Sequence, residues 1–179
     1  MKKWDEFTIP FLGLEPGKYE YEFKIDKEFF EIIETDLYTT ANINLLVTMH
    51  KSSTMLSFDL AIKGTMPAEC FRCLASSEIN FDANEEKFFV AKIGSDISDT
   101  SSEEIIAIGH GESSINIVQQ VFDFFHSQVP QTILPCEINN NYKLCNQEVL
   151  EKLTAVSVKA EQNNVDPRWE ALSKLKDKN

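Results

Sequence analysis

The chain has 179 residues, 42% hydrophobic and 26% charged, enough for one sizeable globular domain with a tail and no need of disulfide staples. Seventeen basic against 29 acidic residues leave a net charge of −12, and only two of the basic residues, Arg72 and Arg168, are arginines. Such a surface argues against broad, sequence-blind nucleic-acid binding and favours a protein, or RNA reached through a protein, as partner.

No stretch has the apolar length to cross a bilayer; Ile43 to Met49 is strand-sized. Asp5, Glu6 and Pro10 interrupt any signal-peptide core behind Met1-Lys2-Lys3, so a cytoplasmic location is expected. In that reducing compartment four cysteines point to metal binding or plain thiols.

In chain order, Tyr19 to Ile25 alternates apolar and charged residues with the period of a half-buried strand. Phe29, Phe30, Ile32 and Ile33, set among glutamates, suit a short helix or a covered turn. Ile43–Met49 and Met55–Ile62 flank Lys51-Ser52-Ser53-Thr54, a hairpin-length connection, and Gly64 and Pro67 are expected to close that unit. Ser77 to Lys92 reads as one long or two short strands, Gly94 to Ser102 as a surface loop, and Ile105 to Ile108 as a last short strand. Ile115, Val118, Phe122, Phe125 and Val129 then recur at helical spacing, with Ser113 or Ser114 as cap and Pro130 as stop. Cys136 to Tyr142 reads as a loop, and Asn146 as the N-cap of a second helix carrying Val149, Leu150, Leu153 and Val156. After a polar link, Glu161 to Asn164, the pair Asp166-Pro167 opens a third, amphipathic helix to about Lys176.

Sheet first and helices after predicts an α+β fold, with an antiparallel sheet, open or barrel-like, in the first two thirds followed by about three helices. The expected division is a single domain over residues 1–160, with a CxxC turn at 70–73, and a link plus helix over 161–179.

The most pointed local signal is Cys70-Phe71-Arg72-Cys73. Two thiolates three positions apart on a tight turn can share one zinc ion, and tetrahedral zinc then needs two more ligands, for which Cys136 and Cys145 are the candidates. Eight residues separate that second pair, unlike a zinc ribbon, which weakens the zinc reading against buried reduced thiols that behave as small hydrophobes. A dithiol redox pair wants a helix start to activate its first thiolate, and Leu74 to Phe81 reads as turn and strand. Gly109-His110-Gly111 reads as a strand-to-helix turn rather than an oxyanion loop, because no G-x-S-x-G elbow accompanies it. His126 reads as a structural histidine and His50 as a solvated one. There is no P-loop and no G-x-G-x-x-G. In the terminal segment Asp166, Arg168 and Trp169 either dock on their own domain or anchor a partner.

Three separated pieces together resemble one family: Cys70-Phe71-Arg72-Cys73-Leu74 after a sheet-rich first half, the helix leading into Leu134-Pro135-Cys136, and the ending Asp166-Pro167-Arg168-Trp169-Glu170-Ala171-Leu172-Ser173-Lys174-Leu175. In order and spacing, from roughly Leu45 to Lys176, the chain resembles the YceD-like proteins, named for large ribosomal RNA subunit accumulation. The resemblance implies a non-enzymatic role in making or stabilising large-subunit ribosomal RNA. The partner it implies is a ribosomal protein or a large-subunit assembly intermediate, with no membrane and no small-molecule substrate. Any direct RNA contact would centre on the Arg72 turn and the basic tail. Many relatives carry Gly-Leu-Cys-x-x-Cys after the Leu-Pro step; here Lys143-Leu144-Cys145-Asn146-Gln147-Glu148 occupies that place, with Glu148 where the second cysteine would be. One structural zinc held by Cys70, Cys73, Cys136 and Cys145 and a zinc-free fold both stay open. The competing functions are a zinc-stabilised interaction module unrelated to ribosomes and, third, a dithiol oxidoreductase.

Overall fold

Five strands of this chain pair edge to edge into one sheet, and a helix rich in phenylalanine covers its apolar face. The computed structural model describes residues 6–94, 105–135 and 145–161. In order these form β1 (Thr8–Pro10), β2 (Gly17–Ile25), α1 (Lys27–Ile33), β3 (Asn42–Lys51), β4 (Met55–Glu69), β5 (Ser76–Ile93), β6 (Ile105–Ile108), β7 (Ser114–Asn116), α2 (Val118–Gln128) and α3 (Gln147–Glu161). The large sheet has the order β2-β3-β4-β5-β6 and is antiparallel except where β6 runs parallel to β5. The class is α+β as expected, and among the described residues the sheet is not closed into a barrel. A second, two-stranded sheet pairs β1 with β7, antiparallel, and ties the N-terminal segment to the entry of α2.

The alternation read from the sequence places Ile43, Leu45, Val47 and Met49 of β3, and Leu56, Phe58, Leu60 and Ile62 of β4, on one buried face. Facing that layer, α2 buries Val118, Val121, Phe124 and Phe125. Phe58 stacks on Phe89 across the β4–β5 pair at 4.4 Å, and Phe124 sits 5.1 Å from Phe88. Each large side chain removed from water there contributes ~2–3 kcal/mol to folding. Segment α1 follows β2 directly because the Asp26 carboxylate caps it, accepting from the N–H groups of Glu28 (2.9 Å) and Phe29 (3.2 Å). Phe29, Phe30 and Ile32 of α1 are buried in the same core.

Three local expectations are corrected. Gly64 and Pro67 do not close the hairpin unit; both lie inside β4, which runs on to Glu69. Gly64 is there because β3 crowds it: a Cβ would meet the Asn42 carbonyl oxygen and lie 2.6 Å from Ile43 Cα. Pro67 is tolerated because β3 ends at Asn42, opposite Thr65, so beyond that point β4 is paired on one side only. The second correction concerns Ser113 and Ser114, expected as helix cap. Ser114 to Asn116 instead form β7, because β1 takes their backbone groups, and α2 starts later, with Asn116 Oδ1 accepting from Val118 N–H at 3.1 Å.

The third is His50, which is not merely solvated. Its Nε2 lies 2.8 Å from Asp59 Oδ2, and Asp59 Oδ1 accepts from Lys87 N–H at 2.9 Å. Ser77 to Lys92 proves to be part of one strand, β5, with an irregularity at this spot: the pairing steps from Phe58–Phe89 to Leu60–Glu85, and Lys87 takes φ 53°.

Candidate functional site

The tip of the long β4–β5 hairpin carries the cysteine motif. Glu69 and Ser76 are the last paired residues, and Cys70 to Ala75 form the connection between them. Cys70 N–H donates to the Ala75 carbonyl (3.0 Å) and Leu74 N–H to the Cys70 carbonyl (2.9 Å), which closes the turn. Phe71 N–H donates to the Ile133 carbonyl at 2.9 Å, tying the tip to the segment that follows α2.

This folding sorts the five residues of the motif by chemistry. Cys70 and Cys73 point inward and are buried, whereas Phe71, Arg72 and Leu74 stand exposed, Phe71 at 63% and Leu74 at 66%. Leu74 adopts φ 57°, the left-handed region, where an L side chain costs roughly 1–2 kcal/mol. Folding alone would place glycine or asparagine there.

The third thiol arrives from far along the chain. Cys145 precedes α3, whose start is set by Asn146: its Oδ1 accepts from Val149 N–H at 3.4 Å, as the expected cap. Cys70, Cys73 and Cys145 are all buried, and they share one cluster with Ala75, Leu134 and Leu150. The fourth expected ligand, Cys136, lies outside the described residues, as do Asp166, Arg168 and Trp169. The donor set suits zinc in kind, since soft thiolates are what zinc selects. In arrangement it is incomplete: among the described residues no three His, Cys, Asp or Glu side chains are positioned to hold a metal ion.

Outside this tip, the three histidines make contacts within the fold. His126 Nδ1 lies 2.7 Å from the Tyr38 hydroxyl, and its ring stacks on Phe122. His110 packs over Gly94, where a Cβ would lie 2.8 Å from His110 Cε1. A concavity of about 900 Å³ lies against α1 and the middle of the sheet, with Phe7, Phe29 and Ile62 beside Lys24, Lys63 and Asp82. Its described lining includes neither cysteine nor histidine. Partial burial pushes the Asp59 carboxyl up, but the Lys87 N–H, His50 and Lys18 outweigh it and hold the pKa below its ordinary value. No helix among the described residues is long and apolar enough to cross a membrane.

The family model for large ribosomal RNA subunit accumulation protein YceD matches residues 58–176, more than half of the chain. The chain belongs to the YceD family. The match takes in the β4–β5 hairpin, the cysteine tip, α2 and α3, and leaves β1, β2, α1 and β3 outside it. The family's name attaches it to the accumulation of large-subunit ribosomal RNA. No curated protein and no solved structure matches the chain.

Sequence reasoning singled out Arg72 and both cysteines of the tip but passed over Phe71 and Leu74, which present more apolar surface there than any neighbour. No local signal marks them: which side chains of the turn face outward is fixed by the backbone hydrogen bonds across the hairpin and to Ile133.

Proposed function

We propose that this protein is a non-enzymatic ribosome-biogenesis factor that supports accumulation of large-subunit ribosomal RNA by binding a protein or ribonucleoprotein of the large-subunit assembly line in the cytoplasm. The observation that carries the reading is the family match over residues 58–176, which spans every segment of the cysteine tip and its surroundings. The net charge of −12 adds to it, because most ribosomal partners that an acidic protein would attract are basic. Arg72 on the exposed tip, and Asp166, Arg168 and Trp169 in the terminal segment, are the proposed contacts, the last three as part of a link and helix over 161–179 separate from the domain of residues 1–160. The test is the ratio of large- to small-subunit ribosomal RNA in native cells depleted of this protein. A selective fall of the large-subunit species is expected; an unchanged ratio removes the reading.

A second proposal concerns the thiols. Cys70 and Cys73 at a hairpin tip and Cys145 before α3 are far apart in sequence and gather in one buried cluster. With Cys136 they would supply four thiolates for one structural zinc ion, a set that would also serve an interaction module with no ribosomal role. Metal analysis of natively purified protein should then find one zinc per chain, released by Cys70→Ser with several kcal/mol lost from stability. Metal-free protein of unchanged stability removes it.

A further inference from the structure

We infer that Phe71 and Leu74, the exposed apolar pair on the hairpin tip, form a docking surface for a basic polypeptide segment, one apolar side chain of which would pack between them. The inference deepens the proposed function, on which it rests for the source of the partner. Its own support is local. The tip is held by three backbone hydrogen bonds and seated on buried thiols, so the two side chains are presented from an ordered turn. Phe71 and Leu74 are 63% and 66% exposed and gain little from the fold. Leu74 also sits at φ 57°, a conformation in which glycine would be free of strain, so neither burial nor backbone geometry accounts for leucine there. Two local preferences broken at one exposed residue mark a position chosen for contact rather than for folding.

Charge selects the partner's class. From Met66 to Asn80 the hairpin carries Glu69 and Glu78 against the single cation Arg72, on a molecule of net charge −12. That balance, within the acidic molecule, favours a lysine- and arginine-bearing chain over phosphate, with the apolar pair as anchor. Leu153 and Val156 add exposed apolar surface to α3, whose Leu150 packs on the same thiol cluster.

The experiment compares the full chain with Leu74→Gly and Phe71→Ser. The probes are the protein fraction stripped from purified large ribosomal subunits and, separately, deproteinised large-subunit ribosomal RNA. The expected result is that the wild-type chain retains a basic protein from the first probe and that both variants bind it at least ~tenfold more weakly. Leu74→Gly should meanwhile melt at the same temperature as wild type or higher. Wild-type binding to neither probe, unaltered binding by Leu74→Gly, or a lower melting temperature for that variant each overturns the inference. Binding to the RNA alone, lost in both variants, overturns it in favour of a nucleic-acid contact. Returned to depleted cells, Leu74→Gly should leave the large-subunit ribosomal RNA low. If it restores the ratio fully, the docking surface falls and the functional reading stands. If depletion never lowered the ratio, the functional reading falls, and the docking surface is judged on the binding result.

Discussion

Asp59 faces the irregular stretch of β5, where Glu86, Lys87 and Phe88 stand opposite it between the paired residues Phe89 and Glu85. Its two oxygens are engaged separately, one by Lys87 N–H and one by His50, and Lys18 on β2 adds a favourable charge. The folded carboxyl therefore has a lowered pKa. The stabilisation it supplies is complete above the ordinary value of 3.8 and is lost as pH falls through the lower folded value. Asp59→Asn keeps an acceptor for Lys87 N–H but removes the charge. It should cost on the order of 1 kcal/mol at neutral pH, and the two stability curves should converge on acidification. Urea unfolding from about pH 2 to pH 6 would show this, and parallel curves would contradict it. None of it was legible in the sequence: His50 and Asp59 lie nine positions apart and face one another only because β3 and β4 pair in this register.

At the scale of elements, α2 and α3 look alike in sequence, each with apolar residues at helical spacing, and they behave differently. The α2 stripe is buried against the sheet, with Phe125 in contact with Phe30, Tyr38 and Phe81. On α3, Leu153 is 46% and Val156 65% exposed. Phe125→Ala should cost ~3–5 kcal/mol because the rings around it cannot collapse into the space. Val156→Ala should stay within about 0.5 kcal/mol. Denaturant midpoints at constant slope would check both, and a comparable loss in the two variants would show that α3 packs more tightly than its exposure indicates. Periodicity identified both helices because it reports an amphipathic face, but whether a face finds a covering surface depends on segments remote in sequence.

For the molecule as a whole, the acidic surplus sets how it meets partners. If a basic large-subunit protein is captured through the hairpin tip, the association rate should fall by on the order of tenfold as salt rises from about 0.05 to 0.5 M, while dissociation changes less. Stopped-flow mixing over that range would measure it, and a salt-independent association rate would mean that the apolar pair acts without electrostatic help.

The amino-acid pattern by itself determined the α+β class, the β3–β4 hairpin, the Asn146 cap and the family, because each is written in local spacing: alternation for strands, three-and-four steps for helices, a motif for kinship. It did not determine that β4 runs through Gly64 and Pro67, since a glycine and a proline read as breakers until β3 is seen to crowd the one and to end before the other. Nor did it determine that Ser114 to Asn116 become a strand, which depends on β1 more than a hundred residues earlier. The gathering of Cys145 with Cys70 and Cys73, and the outward turn of Phe71 and Leu74 above them, are likewise decided in three dimensions. Backbone hydrogen bonds across the hairpin and to Ile133 fix which side chains face in, and no local sequence rule encodes contacts between segments that distant.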